Sequence, residues 1–459
     1  MALLSVNYNI YEKNNKYLYI FPDIPYWIVV SSYGKIILNQ FFYNDSLKEV
    51  KDSIKNIFSS NWYIYEKYFD VLIDKLYTNF ENAGIFNYNN KRIQTFTKEI
   101  DSIGINITKN CNLQCKYCYA DSGEISCKSG NNIEYISKFL KEARKFVSNS
   151  CYVQITGGEP FLEKTLLFET LDLLEKLEYY NITMNTNGIL ISDDIIEQLL
   201  KYKNIKNITI SVDGEKEVHD NFRGKGSYEK AIQAIKKLKD KDFTVTASMT
   251  VHEKNLEYIE TFLDYCKNNN IIAFNNPMFP IGRCKENDDI KEVNIYNLFL
   301  KLKDMYKLKK YSSKDFDGTF LSTIILPLRD LKKKHYCGMG LSSVFLDVDG
   351  NVYPCANTLG IEQFLCGNIC DSSFEDIWLN SKKYNYLRNC IDVDTNEDCK
   401  SCELKYICAG FCRGMNYQST GKLNTKSIWC NDLKETILEA MWTINEFPEL
   451  FHGSKDNFA

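Results

Sequence analysis

Cys111, Cys115 and Cys118 form a C-x3-C-x2-C run in NCNLQCKYCYA, directly after the strand-like stretch Ser102–Thr108. Three soft thiolates packed this closely can hold three irons of a 4Fe–4S cube and leave the fourth iron without a protein ligand. A small molecule can chelate such an iron and be reduced through it. A zinc knuckle is the competing reading. It needs a fourth cysteine or histidine nearby, and the next candidate, Cys127, lies past a polar stretch and reads as incidental.

A second group of cysteines gathers toward the C-terminus. Cys337 opens a C-x12-G-x4-C element that runs through Gly350 to Cys355. Cys399, Cys402, Cys408 and Cys412 follow as C-x2-C-x5-C-x3-C, and Cys430 closes the series. A zinc ribbon is the alternative for the CELKYICAGFC part. The remaining Cys151, Cys266, Cys284 and Cys390 sit in apolar or helical contexts, where free cysteine behaves as a small buried hydrophobe.

The start of the chain lacks the basic segment and apolar core of a signal peptide, and no apolar run is long enough to span a bilayer. These features point to a cytoplasmic protein without a membrane partner. Seventeen cysteines there read as metal ligands rather than disulfides, and with only four histidines any metal centre must be rich in thiolate. A net charge of −4 argues against nucleic acid as a partner. With 459 residues, 44% of them hydrophobic, the chain has length for about three domains and ample core.

The elements that must position the first triad alternate from about residue 100 to 320. Strands are expected at Ile103–Thr108, Tyr152–Thr156, Asn181–Asn185, Asn207–Val212, Thr244–Thr250 and Ile271–Asn275. Helices are expected between them at Ile133–Val147, Leu166–Tyr179, Ile195–Tyr202, Tyr228–Lys239 and Leu256–Asn268. Six β–α units imply an α/β fold, a parallel sheet curled into a partial (β/α)6 TIM barrel. Ligands of such a sheet gather at the C-terminal ends of the strands. There the sequence places Thr156-Gly157-Gly158-Glu159-Pro160, Asn185-Thr186-Asn187-Gly188, and Ser211-Val212-Asp213-Gly214 followed by His219-Asp220-Asn221-Phe222-Arg223. Glycines let a backbone come close to a ligand, and Glu159 suits an ammonium group. His219 and Asp220 read as loop supports.

The triad, with Tyr117 before its third cysteine, resembles the signature of radical S-adenosylmethionine (SAM) enzymes. The cysteine order from Cys337 to Cys430 is similar to that of SPASM domains, found on members of that family that modify peptides and proteins. The resemblance implies three 4Fe–4S clusters and SAM. Cys111, Cys115 and Cys118 would hold the SAM-cleaving cluster, and Cys399, Cys402, Cys408 and Cys430 would close a second. Cys337, Cys355 and Cys412 would give the third only three ligands, so that either Cys366 or Cys370 completes it or its iron stays open to a substrate thiolate. It further implies that Tyr117, Thr156, Gly157, Gly158, Glu159, Asn187, Ser211, Asp213 and Arg223 bind SAM, Glu159 through the amino group and Arg223 through the carboxylate. No acid or base is assigned.

Residues 1–96 carry no patterned cysteines. Tyr17–Phe21, Tyr26–Val30 and Lys35–Leu38 look like short strands with turns at PDIP and SSYG, and helical patterns follow at Leu47–Phe58 and Tyr63–Phe80. This order resembles the RiPP recognition element, a winged-helix-like α+β module of ribosomal-peptide biosynthesis that binds a leader peptide as an added strand. The expected domains are this module (1–96), the partial barrel (97–325) and a cysteine-rich iron–sulfur domain (326–459). The implied function is a maturase that joins a cysteine sulfur to a carbon of a leader-bearing precursor peptide, served by an electron donor such as flavodoxin or ferredoxin. Carbon–carbon crosslinking or another peptide oxidation is the rival. Sulfatase maturation fits less well, because those relatives place an acidic residue after the cysteine that Ala356 follows here. A non-catalytic iron–sulfur peptide-binding protein would need no SAM pocket.

Overall fold

The computed structural model describes residues 3–60, 62–86, 96–123, 132–287, 289–330, 334 and 337–451; Cys127 lies outside them. The chain opens with an antiparallel sheet of β1 (Asn9–Lys13), β2 (Lys16–Phe21) and β3 (Tyr26–Ser31), followed by helices Ser32–Tyr43, Leu47–Ile57 and Trp62–Asn82. The middle strand shows the period of two. Tyr19 and Phe21 enter a core with the three helices, while Leu18 and Ile20 enter the main core of the rest of the chain.

One expected strand fails here, and one strand was not expected. Lys35–Leu38 is part of helix Ser32–Tyr43, not a strand. The Ser31 side chain accepts the Gly34 N–H (3.2 Å), so SSYG starts a helix, and Ile37, Leu38 and Phe41 share its buried face. The strand β1 was not expected because its NIYEK side chains are mostly exposed and do not alternate. Its signal was the turn. Asn14 and Asn15 have φ of 54° and 57°, the left-handed pair of a two-residue hairpin, with Lys13 paired to Lys16.

The central sheet contains β4 (Ile100–Asn106), β5 (Val147–Thr156), β6 (Ile182–Thr186), β7 (Ile205–Ser211), β8 (Val245–Val251) and β9 (Ile272–Pro277), all parallel and in sequence order. These are the six strands expected from the alternating pattern, with ends shifted by a few residues. Helices Ile133–Ala143, Lys164–Lys176, Asp193–Leu199, Ser227–Lys239 and Ile259–Asn268 lie between them. The sheet does not stop at β4. The cysteine-rich region adds β10 (Ser343–Leu346) parallel to β4, then β11 (Asn351–Tyr353) and β12 (Gly367–Asn368) antiparallel, giving nine strands. Helix Cys430–Glu446 returns to pack on Ile295–Lys307, Phe320–Asp330 and β3. There Glu439 takes ion pairs from Lys303 and from Lys13 of β1 (2.7 Å). Among the described residues no helix is long and apolar enough to cross a membrane.

The join between β4 and β10 depends on one glycine. Gly104 pairs with Phe345, and a Cβ at Gly104 would lie 2.0 Å from the Phe345 ring. Glycine inside a strand marks such close approaches. Gly104→Ala should cost about 1–3 kcal/mol by overpacking. Thermal unfolding should show the loss, and Phe345→Leu in the same background should recover part of it. Equal melting temperatures for wild type and Gly104→Ala would contradict this packing.

Candidate active site

The cysteine triad hangs on the loop after β4, at the C-terminal end of the sheet. The segment after β5 runs beside it: Gly158 N–H donates to Thr108 O (2.7 Å) and Glu159 N–H to Asn110 O (2.8 Å). A Cβ on Gly158 would stand 2.1 Å from Asn110 O, and one on Gly157 2.7 Å from Thr108 O. The two glycines therefore admit the cysteine loop itself as well as facing the cavity below. From the other side, Arg283 donates to Cys115 O (2.8 Å) and Ser122 O (2.5 Å), and its own N–H reaches Cys118 O (3.0 Å). Nothing in the sequence spacing marks Arg283, which is brought in from a distant segment.

Tyr117, Asp213 and Arg223 form one buried network. Arg223 grips Asp213 in a fork, Nε to Oδ2 at 2.6 Å and Nη2 to Oδ1 at 3.1 Å, and the Tyr117 hydroxyl donates to Oδ2. Thr250 N–H adds a bond to Asp213 Oδ1 (3.1 Å). Burial opposes the Asp213 charge, but the Arg223 guanidinium outweighs it and holds the carboxyl below its usual range. Asp213 thus spends its oxygens on Arg223 and Tyr117 and does not line the cavity. Glu159 is likewise turned inward. Its carboxylate accepts from Thr186 Oγ1 (2.7 Å) and Asn187 N–H (2.8 Å), and burial pushes it up to about 7. Both acids brace the site, because buried carboxylates take whatever donors surround them. His219 Nδ1 accepts the Asp213 N–H (3.2 Å), and Asp220 caps Gly226 (2.8 Å) and Tyr228 (2.9 Å), both as loop supports.

A cavity of about 370 Å³ opens under the triad. Cys111, Cys115, Tyr117, Cys118, Thr156, Gly157, Gly158, Asn187, Ser211 and Arg223 all line it. Asn187 Nδ2 bonds Asn112 Oδ1 (2.7 Å) and points at Cys111 Sγ (3.9 Å). Sequence reasoning missed Ser248 and Thr250 at the end of β8, Asn276 and Met278 at and beyond the end of β9, and Asn357. The first pair had a signal, polar residues at every second position of β8 (Thr246, Ser248 and Thr250); Asn357 had none.

The C-terminal thiols fall into two sets by mutual electrostatic influence. Cys355 feels Cys412 and Cys337, whereas Cys408 feels Cys399, Cys402 and Cys430. The set of four encloses a cavity of about 30 Å³, and the set of three borders one of about 840 Å³, with Cys408 on its wall as well. Neither Cys366 nor Cys370 lines the larger cavity. Cys366 donates to Phe364 O (3.4 Å), and Cys370 is exposed beside Tyr135.

The donor chemistry suits iron–sulfur centres. Burial pushes Cys111 and Cys408 up to about 12 and Cys399 up to about 11, so these thiols ionise only against a strong positive centre. Backbone N–H groups of Leu113, Asn357 and Met415 already point at the sulfurs of Cys111 (3.4 Å), Cys355 (3.3 Å) and Cys412 (3.4 Å). Among the described residues no three His, Cys, Asp or Glu side chains converge tightly enough for a single ion.

Residues 105–266 match the radical SAM superfamily and residues 337–403 the SPASM iron–sulfur cluster-binding domain. The chain carries a radical SAM domain and a SPASM domain, and these domains imply 4Fe–4S clusters and SAM. Curated relatives are of mixed activity. One is an AdoMet-dependent heme synthase of Methanosarcina barkeri, 26% identical over 71% of this chain and 94% of its own. Another is AlbA of Bacillus subtilis, a biosynthesis protein of the antilisterial bacteriocin subtilosin, 29% identical over 72% of each chain. Among solved structures, Streptococcus suis SuiB bound to its precursor peptide SuiA shares the fold across 94% of this chain and 100% of its own, with TM-score 0.57 and 16% identity.

Gly158→Ala should displace the cysteine loop through the Asn110 carbonyl. After anaerobic reconstitution, its iron content should fall by about one cluster's worth, while Gly226→Ala, strained by its φ of 79° but with a Cβ that meets nothing within 4 Å, should keep wild-type iron. Equal iron in the Gly158 variant would contradict the packing.

Burial pulls His219 and His252 down to about 4, against an unfolded value near 6.5. Between those values the unfolded chain binds protons that the folded chain does not, so stability rises with pH and is lost on acidification. Each histidine should cost about 2 kcal/mol between pH 7 and pH 5. His219→Gln should flatten the pH dependence of denaturant unfolding by that amount, and an unchanged slope would count against its neutral burial.

Proposed function

We propose that this enzyme matures a ribosomally made peptide by joining a cysteine sulfur to a carbon of the same precursor. The observation that carries the reading is the set Cys337, Cys355 and Cys412: neither Cys366 nor Cys370 lines its cavity, and the further thiol on that wall, Cys408, groups with Cys399, Cys402 and Cys430. That cavity shares Asn276, Pro277 and Phe279 with the one under the triad, so a single peptide segment can reach both. A cluster held by three protein thiolates leaves room for a substrate thiolate. The kinship with AlbA supports the same class of substrate.

In this reading the chain holds three 4Fe–4S clusters. Cys111, Cys115 and Cys118 hold the first, Cys399, Cys402, Cys408 and Cys430 the second, and Cys337, Cys355 and Cys412 the third. When bound, the first cluster and SAM supply a 5′-deoxyadenosyl radical that abstracts hydrogen. Thr156, Gly157, Gly158, Asn187 and Ser211 form the wall for SAM, and Arg223 meets its carboxylate. Glu159, Asp213 and Tyr117 hold those groups in place, a role inferred from their bonds. The units 1–96, 97–325 and 326–459 serve leader binding, radical generation and auxiliary clusters. The leader adds as a strand to an edge of the β1–β3 sheet, where backbone bonds supply affinity. A flavodoxin or ferredoxin supplies the electron that SAM cleavage needs.

The test is anaerobic reconstitution followed by incubation with SAM, reductant and a cysteine-containing precursor from a neighbouring reading frame. Product mass, fragmentation and 5′-deoxyadenosine are recorded together. Loss of two hydrogens per crosslink, with the cysteine newly resistant to alkylation, is the expected result. If 5′-deoxyadenosine forms and two hydrogens leave while the cysteine remains alkylatable, carbon–carbon crosslinking or another oxidation replaces the thioether reading.

A further inference from the structure

Asn357 belongs to two sites at once. It lines the cavity under Cys111, Cys115 and Cys118, although it comes from the far end of the chain. Its Nδ2 donates to Cys412 Sγ at 3.3 Å, and its backbone N–H donates to Cys355 Sγ at 3.3 Å. The residue is held firmly: Gln418 Nε2 donates to its carbonyl (2.7 Å), and the Gly414 backbone presses on it so closely that a Cβ there would lie 3.0 Å from the Asn357 Cβ. On the same cavity, Asn187 aims its amide at Cys111. Tyr119, on the same wall, hydrogen-bonds Thr156 and lies within electrostatic reach of both Cys118 and Cys355. The first triad and the set of Cys337, Cys355 and Cys412 therefore face each other across one wall, and Asn357 is the side chain that joins the second set to the cavity.

We propose that Asn357 is a positioning residue for the centre held by Cys337, Cys355 and Cys412, fixing that centre at the cavity wall and raising its reduction potential. The physical reason is that an N–H aimed at a thiolate sulfur stabilises negative charge there. A cluster gains negative charge on reduction, so the reduced state benefits more, and hydrogen bonds to sulfur are one of the protein's levers on potential. The set of four thiols lies instead around a small enclosed cavity that Asn357 does not line. The effect is thus local to one centre. The inference rests on the cluster assignment of the proposed function, and not on its thioether product.

The experiment is a potentiometric titration of the reconstituted full chain followed by electron paramagnetic resonance, comparing wild type with Asn357→Leu and Asn357→Asp. Both variants remove the donor at nearly constant volume, and Asp adds a negative charge. One cluster signal should shift to lower potential. For Asn357→Leu its reduced-to-oxidised ratio at the wild-type midpoint should fall about tenfold, about 59 mV for a one-electron couple. Asn357→Asp should shift it further, and the other two signals should hold still. The shifted signal should be the one that survives both Cys399→Ser and Cys111→Ser, each of which removes one of the other two centres.

A shift confined to a signal lost in Cys399→Ser or in Cys111→Ser, or no shift in any signal, overturns the proposal. So does loss of the centre in both variants, which would make Asn357 structural. Wild-type iron equivalent to a single cluster would sink the cluster assignment and this inference together. Three clusters indifferent to Asn357 would sink this inference alone.

Discussion

Ten thiols are gathered in three sets, and burial makes seven of them, Cys111, Cys115, Cys355, Cys399, Cys402, Cys408 and Cys412, hard to ionise. In the first, Cys111 is raised by desolvation and then further by Cys115 and Cys118; in the last, Cys408 is raised by its three neighbours. Thiolates this close repel one another, so the arrangement holds only if positive charge is brought to the sulfurs. The surrounding structure supplies part of that compensation as backbone N–H groups, two amides and the Arg223 and Arg283 guanidiniums beside Cys115. Much of the fold follows from this need to bury sulfur while feeding it donors.

The central sheet provides a rigid edge for that purpose. The parallel strands β5 to β8 each deliver a residue at or next to their C-terminal ends to the same rim, where Thr156, Asn187, Ser211 and Thr250 meet. The two acids at that rim bond to their protein neighbours. Asp213 ties Arg223 to the tyrosine of the cysteine loop, and Glu159 ties the end of β5 to the end of β6. A carboxylate with a guanidinium fork and a hydroxyl is fully satisfied, which fixes the geometry of the cationic group facing the cavity.

The six parallel strands were legible because buried strands and amphipathic helices differ in apolar period, and each unit is long enough to express it. A run of four residues such as KIIL is not. It reads equally as strand or helix, and the Ser31 cap decided for helix. The edge strand β1 was hidden because an exposed strand has no alternation to read. In the site, residues whose spacing is local were found readily, since the cysteine run and the glycine pair act within one loop. Arg283 and Asn357 were not found, because each reaches the triad or its cavity from far along the chain.

The sequence by itself determined which chemistry the chain could hold, since the cysteine spacings are short enough for the local backbone to carry them. It also determined the repeating β–α order, through apolar periodicity. Only the tertiary structure decided that β10 joins β4 through Gly104 and Phe345, that Glu159 and Asp213 turn away from the cavity, and that Asn357 bonds Cys412 at the wall of the cavity under the triad. The physical reason is range. Spacing and periodicity act over one turn of helix or a few residues of strand, whereas the direction of a buried polar side chain is set by whichever donors the folded chain brings near it.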